Sequence, residues 1–347
     1  MILNTIAEKN RYVTGIALSQ FFYGAKALGL DSQKALKLAG LSKEHLLPSA
    51  RVPVSSYEKA LLALILNYKD LSFGADIGQQ IMPPLYGVLM SLALSSSSLG
   101  EAISYLARYQ GLATGNCGDV EYAFDGKHYQ LSIAMTHENS VIRRNVAECV
   151  MSIFCHLPRI ITASQELSPE EICFEHAPAS ESARHHFEAL VRCPVRWSTD
   201  SSRMILSQTT HHLPIHGHGD DLLRVAEQQA QDQLSKISSQ LSALEKIKWH
   251  IIELMKSSAP RRESVAKRLN ISTRTLDRRL ADAGTSWQEV LDQLRLQFAI
   301  DYLREDHNTV AGIAEKLGFS EIRAFQRKFK AWTGLTPSSY RKTFTSN

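Results

Sequence analysis

The sequence predicts an α+β N-terminal domain followed by an all-α domain with two helix-turn-helix units joined by a long helix. Three observations carry this. Alternating apolar and polar residues occur only before about residue 210, and from Leu244 onward all spacing is helical. Charge is uneven: residues 245–347 carry 19 Lys/Arg against 12 Asp/Glu, or +7, while the rest carry 20 against 23, or −3. A segment of the basic part occurs twice. With 347 residues, 44% of them apolar, the chain can bury a core in each of two or three domains.

In chain order, the first 70 residues read as helical around a turn at "LLPSARVP" (46–53). Lys9 and Arg11 ahead of an apolar run resemble a secretory leader, but Thr14, Gly15, Ser19 and Gln20 interrupt it, which favours an ordinary amphipathic first helix. Ser55 with Glu58, and Ser98 with Glu101, have capping-box spacing. The uncharged stretch 77–100 is strongly apolar only over Leu85–Leu94, too short to span a bilayer, so no membrane partner is expected. "DVEYAFDGKHYQLSIAM" (119–135) alternates around Asp125-Gly126 and predicts a tight hairpin. Val146, Val150, Ile153, Phe154, Leu157 and Ile161 then mark one face of a helix. Strand-like pieces at 171–176, 194–198 and 203–206 flank a helix at 181–190. "HHLPIHGHGDD" (211–221) reads as a boundary, followed by a Gln/Ala-rich helix to about Leu234 that "KISSQLS" (236–242) interrupts. The expected domains are 1–215, a linker at 216–243, and 244–347.

"VAKRLNISTRTLDRRLADAG" (265–284) aligns with "IAEKLGFSEIRAFQRKFKAWTG" (313–334). Ala266 and Leu269 match Ala314 and Leu317 at an offset of 48; past a turn, Leu276, Leu280 and Ala283 match Phe325, Phe329 and Trp332 at 49. Those three positions share one helical face. A short helix, a turn, and a second helix opened by Ser272 or Ser320 is the helix-turn-helix pattern. The opposite face carries Arg274, Asp277, Arg278 and Ala281 in one copy and Arg323, Gln326, Arg327 and Lys330 in the other. Arginine reads guanine bidentately, aspartate accepts from cytosine N4, and glutamine pairs with adenine. A solvated face of intrahelical ion pairs is the competing reading, and two copies in register within the basic domain favour double-stranded DNA. Ser286 and Glu289 form a third capping box, opening a helix to about Arg304 with Val290, Leu294, Phe298 and Tyr302 as its core face. That helix is roughly 27 Å long, suited to holding two reading heads at the ~34 Å repeat of the major groove. Thr336-Pro337 starts a last helix.

On these two motifs, over about residues 245–342, the chain resembles the AraC/XylS family of bacterial transcription regulators. The resemblance places base-reading roles on Arg274, Asp277 and Arg278, and on Ile322, Arg323, Gln326 and Arg327. Ile322 departs from the polar residue common there; either it meets a thymine methyl or the second motif binds with little base preference. "RVPVSSYEKAL", "SFGADIGQQI", "ICFEHAPA" and "CPVRWSTDSSRMIL" are similar to the effector domains of ornithine and arginine regulators in this family, called arabinose-binding-like. The resemblance implies a bacterial, cytoplasmic regulator, an activator that contacts RNA polymerase, with a small-molecule effector. A homodimer is not written in the sequence; the helices of the N-terminal domain are where it is expected. For the pocket, the expectation is the helices at 85–109 against the 120–135 hairpin, with Tyr86, Tyr105 and Tyr122 as candidates and core packing as the alternative.

Other chemistry is weaker. The five cysteines form no CxxC pair, which fits a reducing compartment. His211, His212, His216 and His218 invite a metal, but their spacing fits no rigid face and favours a polar hinge. His185 and His186 read as surface residues. Cys117 sits in no nucleophile motif, and no glycine loop cradles a phosphate, so no catalytic residue, cofactor or metal is assigned. An enzyme carrying a DNA-binding tail, and a DNA-binding protein without an effector, remain as alternatives.

Overall fold

The described chain begins with a strand where helix was expected. The computed structural model describes residues 11–68, 72–137, 139–240, 243–255, 260–304, 309–319 and 321–345. Its contacts divide these into two units, 11–236 and 237 onward. β1 (Tyr12–Thr14) pairs antiparallel with β2 (Arg51–Pro53), two three-residue strands too short to show a period in sequence. Between them lie α1 (Gly15–Ala27) and α2 (Ser32–Leu38). α1 is not amphipathic: Ile16, Leu18, Ser19, Gln20, Phe21, Phe22 and Ala25 are all buried. The polar pair is accommodated because Ser19 donates to the Leu46 carbonyl and Gln20 to that of Ile77, each at 2.8 Å.

α3 (Val54–Ile65) starts before Ser55, without a side-chain cap. The expected box is not made because the Glu58 carboxylate meets His137 Nδ1 at 3.0 Å instead. α4 (Phe73–Gln79), a 3-10 turn at Pro83–Tyr86, α5 (Val88–Ser95), α6 (Leu99–Arg108) and the short α7 (Gly111–Thr114) follow. α5 is a largely buried apolar helix, and Ser98 does cap α6, accepting from the Glu101 N–H at 3.2 Å.

β3 (Gly118–Phe124) and β4 (Tyr129–Met135) form the expected hairpin. Its loop has four residues rather than two: only Gly126 has positive φ, and Asp125 Oδ1 accepts from the Lys127 and His128 N–H groups at 2.8 Å. α8 (Ser140–Ile161) leads to β5 (Glu171–Cys173), α9 (Glu181–Val191), β6 (Val195–Arg196) and β7 (Ser202–Leu206). The sheet order is β3-β4-β7-β5-β6, antiparallel except β5 with β6. α8 is the axis of the unit. Met151, Cys155 and Leu157 pack in one apolar cluster with the sheet; Ile142, Val146 and Cys149 pack in a second with α1 and α3. α4 lies close against α8 because a Cβ on Gly74 would stand 2.1 Å from the Asn145 carbonyl oxygen.

α10 (Gln208–His211) and α11 (Asp220–Gln240) complete the unit. α11 does not break at 236 as expected, since no glycine or proline interrupts it there. Its Glu227 meets Tyr105 and Arg108 of α6, and Tyr109 just past its end, at 3.1–3.3 Å.

The second unit is helical throughout its described residues: α12 (Ala243–Met255), α13 (Arg262–Arg268), α14 (Thr273–Asp282), α15 (Trp287–Arg304), α16 (Val310–Lys316), α17 (Ile322–Thr333) and α18 (Pro337–Thr345). α15 serves two cores in turn. Val290, Leu291 and Leu294 pack with α12, α13 and α14, and Phe298, Ala299, Tyr302 and Leu303 pack with α16, α17 and α18. The single expected face is therefore corrected to two: Leu291 and Leu303 are as buried as Val290, because the partners change side along the helix.

Candidate nucleic-acid interface and interior cavity

Each repeat is built to fix one exposed helical face. In the first, α13 ends at Leu269, Asn270 takes a left-handed φ of 52°, and Ser272 Oγ accepts from the Thr275 N–H at 3.1 Å. Leu276 and Leu280 are fully buried against Val265, Ala266, Ile247 and Ile251. Ala283, expected on that face, is exposed because the helix already ends there. In the second, Gly318 supplies the positive φ of the turn, and Phe325 and Phe329 are fully buried against Ile313, Ala314 and Leu317. Trp332 is half-buried, its ring centroid 6.4 Å from that of Phe319. Ser320 lies outside the described residues; Glu321 precedes α17 without a side-chain cap.

The opposite faces are exposed at Arg274, Asp277 and Arg278 on α14, and at Ile322, Arg323, Gln326 and Arg327 on α17. The ion-pair alternative is not realised. Among the described residues, Arg274, Arg278, Arg323 and Arg327 hold no ion pair, and Asp277 reaches across to Arg262 of α13 at 3.4 Å rather than to its own helix. A solvated stripe of unpaired guanidinium groups gives up little on meeting phosphate or guanine.

Two side chains missed in the sequence attach the second repeat to α15. Lys328 pairs with Asp292 at 2.7 Å. Arg295 donates from Nε to the Leu317 carbonyl at 2.9 Å and from Nη2 to that of Gly318 at 3.1 Å, with its guanidinium carbon 4.5 Å from the Phe319 ring centre. Burial lowers its pKa, and the Asp292 charge opposes that shift. An arginine between Leu294 and Leu296, on a helix packed on both sides, was the available signal.

In the first unit, a cavity of about 120 Å³ lies between the two apolar clusters. Ile16 and Gln20 of α1, Tyr57 of α3, Leu106 of α6, Gln110 and Val150 are among its lining, and no Asp, Glu, Lys or Arg is. Of the three tyrosine candidates, only Tyr86 lines it, with its hydroxyl donating to Gln20 Oε1 at 3.2 Å and its pKa raised by burial. Tyr105 turns instead to Glu227, and Tyr122 stacks on Tyr129 and bonds His211 Nδ1 at 2.9 Å. Cys117 and Cys149 also line the cavity; burial pushes the Cys117 thiol up to about 11, leaving it protonated and a poor nucleophile near neutral pH.

Residues 29–215 match the arabinose-binding domain of AraC transcription regulators, and residues 265–343 match a helix-turn-helix domain. The chain belongs to the AraC family of transcription regulators. The ornithine utilization regulator of Pseudomonas aeruginosa is 26% identical over 325 residues, covering 87% of this chain and 91% of its own. The urease operon transcriptional activator of Escherichia coli is 24% identical over 200 residues, 56% of this chain and 64% of that one. The crystal structure of the regulator CdpR from P. aeruginosa aligns over 90% of this chain and 96% of its own, at 19% identity and a TM-score of 0.44.

Three of the histidines singled out in this AraC-family chain have structural partners, His211, His218 and His186. His211 lies flat on Tyr129 at 3.6 Å between ring centres, and His218 Nδ1 meets the Ser95 carbonyl at 3.1 Å. His186, expected as a free surface residue, joins α9 to α4 through Asp76 at 2.8 Å, because α9 packs with that face inward; His185 is exposed. Among the described residues no helix is long and apolar enough to cross a membrane.

Proposed function

We propose that this AraC-family chain is a sequence-specific activator, controlled by a small molecule in its N-terminal domain, whose α14 and α17 enter adjacent major grooves of one DNA duplex. The observation that carries the reading is the pair of capped or turn-defined helices that bury Leu276/Leu280 and Phe325/Phe329 while leaving unpaired arginines outward. Base reading falls to Arg274, Asp277, Arg278, Arg323, Gln326 and Arg327, with Ile322 beside them. Residues 1–215 sense the effector, 216–243 connect, and 244–347 bind DNA. The protein acts in the bacterial cytoplasm as a homodimer, contacts RNA polymerase beside the promoter, and catalyses no reaction.

Coupling has a physical route within the first unit. Leu106 of α6 lines the cavity, while Tyr105 and Arg108 of the same helix, and Tyr109 just past its end, hold Glu227 of α11. A ligand that shifts α6 therefore shifts the helix that runs in sequence toward the DNA-binding domain, and it changes populations in proportion to its differential affinity.

The test is charge reversal. Arg278→Glu should abolish binding at one half of a site selected from genomic DNA and leave the circular dichroism spectrum unchanged. Unaltered affinity for that site removes α14 as a reader.

A further inference from the structure

Asp277 is the one carboxylate among the positions assigned to base contact on α14 and α17, and it stands among cations. On its own helix Arg274 lies three residues earlier, a spacing at which side chains can meet. The carboxylate nevertheless turns off the helix: its Oδ2 accepts from Arg262 Nη1 of α13 at 3.4 Å. The two side chains are 50% and 46% exposed, and an ion pair so open to water adds little to folding. What the pair does is fix where one negative charge stands, and leave Arg274 uncommitted.

The duplicated unit supplies a comparison within the chain. At the offset of 48 that matches Ala266 with Ala314, Arg262 falls on Val310; at the offset of 49 past the turn, Asp277 falls on Gln326. Arg262 and Val310 are each the first residue of their helices. Where the outward residue is charged, the preceding helix opens with the opposite charge. Where it is a neutral amide, that helix opens with an apolar residue that packs on the second core. A carboxylate needs such a counter-charge beside a duplex, which carries one negative charge per about 1.7 Å of its axis. The attraction strengthens as water leaves the interface, because it scales inversely with the dielectric constant. One oxygen suffices to accept from cytosine N4, and holding Oδ2 on Arg262 leaves Oδ1 for that bond.

We propose that Arg262, outside the helix that meets the bases, is a positioning residue for sequence specificity. It holds the Asp277 carboxylate in place against phosphate repulsion, so that α14 selects cytosine at one base pair. The proposal rests on the reading of α14 as a base-contacting helix.

The experiment uses the full chain and a duplex that it selects from a random-sequence pool, with each base pair then varied in turn. Asp277→Ala locates the base pair: there alone a preference for cytosine, about tenfold in the unaltered chain, should vanish. Arg262→Ala should cut the same preference below about threefold, and adding it to Asp277→Ala should change base preference no further. Arg262→Lys, which keeps the charge, should restore most of it. Preferences in the half bound by α17 should not move. These are ratios between sequences measured on one protein, so a partly unfolded variant leaves them readable. If Arg262 only neutralises a phosphate, its removal weakens all sequences alike, lowers the salt slope by about one and leaves the cytosine preference intact, which overturns the proposal. If Asp277→Ala alters no base preference while Arg278→Ala does, the proposal falls and α14 still reads DNA. If neither alters any, the reading of α14 falls with it.

Discussion

Arg295 should decide whether the second helix-turn-helix unit stays ordered. Its guanidinium makes two charge-assisted hydrogen bonds, to the carbonyls of Leu317 and Gly318, and stacks on Phe319. Those carbonyls close the turn between α16 and α17, where few other donors reach them. Arg295→Met keeps an apolar stem against α15's surroundings and removes all three interactions. Hydrogen bonds to charged groups are worth about 1.5–3 kcal/mol each and an exposed cation–π contact about 0.5–1. Part of this returns when water reaches the freed carbonyls, since Arg295 is only half-buried. The expected loss is about 2–4 kcal/mol, confined to residues 309–345. Native-state hydrogen exchange reads it: amides of α16 and α17 should exchange more than about tenfold faster, while those of α13 and α14 hold. Footprinting should show the half-site of α17 fading first. Unchanged exchange in α16 and α17 would refute the claim that α15 holds this head through Arg295.

Three further outcomes follow from the first unit. Gly74→Ala places a methyl carbon 2.1 Å from the Asn145 carbonyl oxygen, so α4 and α8 must part; a loss of about 1–3 kcal/mol or more in urea unfolding is expected, and an unchanged midpoint would contradict the close crossing. Burial lowers the pKa of His137 below its ordinary 6.5, with the Glu58 bond opposing. The folded chain therefore prefers neutral His137, and its contribution to stability is present above about pH 6.5 and lost as pH falls through the lower folded value. Melting temperature should drop between about pH 7.5 and 5.5, and less steeply in His137→Gln; identical slopes would sink this assignment. Glu227→Ala cuts the tie between α6 and α11, so effector binding should persist while its influence on promoter affinity shrinks; retained coupling would eliminate this route.

What could be read from the sequence followed from how local each feature is. The two helix-turn-helix units are local, and duplication doubled the signal: Leu276/Leu280 and Phe325/Phe329 are the buried pairs their spacing predicts. The Ser98 and Ser286 caps were legible for the same reason, as each is complete within four residues. Ser55 was not, because the distant His137 competes for Glu58. The β1–β2 ribbon joins three-residue strands with two helices between them, and no periodicity survives at that length. α15 was misread for a related reason, since one helix serving two cores blurs the period that either core alone would impose. The cavity was out of reach: Ile16, Tyr86, Gln110 and Val150 are far apart in sequence, and only the folded chain sets them around one space. Tyr105 and Tyr122 belong to the predicted region but turn to Glu227 and His211, partners that local sequence does not announce.

The most direct measurement is guanine methylation interference on a genomic site bound by the full chain, repeated with Arg278→Ala and Arg327→Ala. Two clusters of interference about one helical turn apart on one face of the duplex, each erased by only one of the variants, is the predicted pattern. A single cluster, or two that neither substitution alters, would mean that α14 and α17 do not read DNA together.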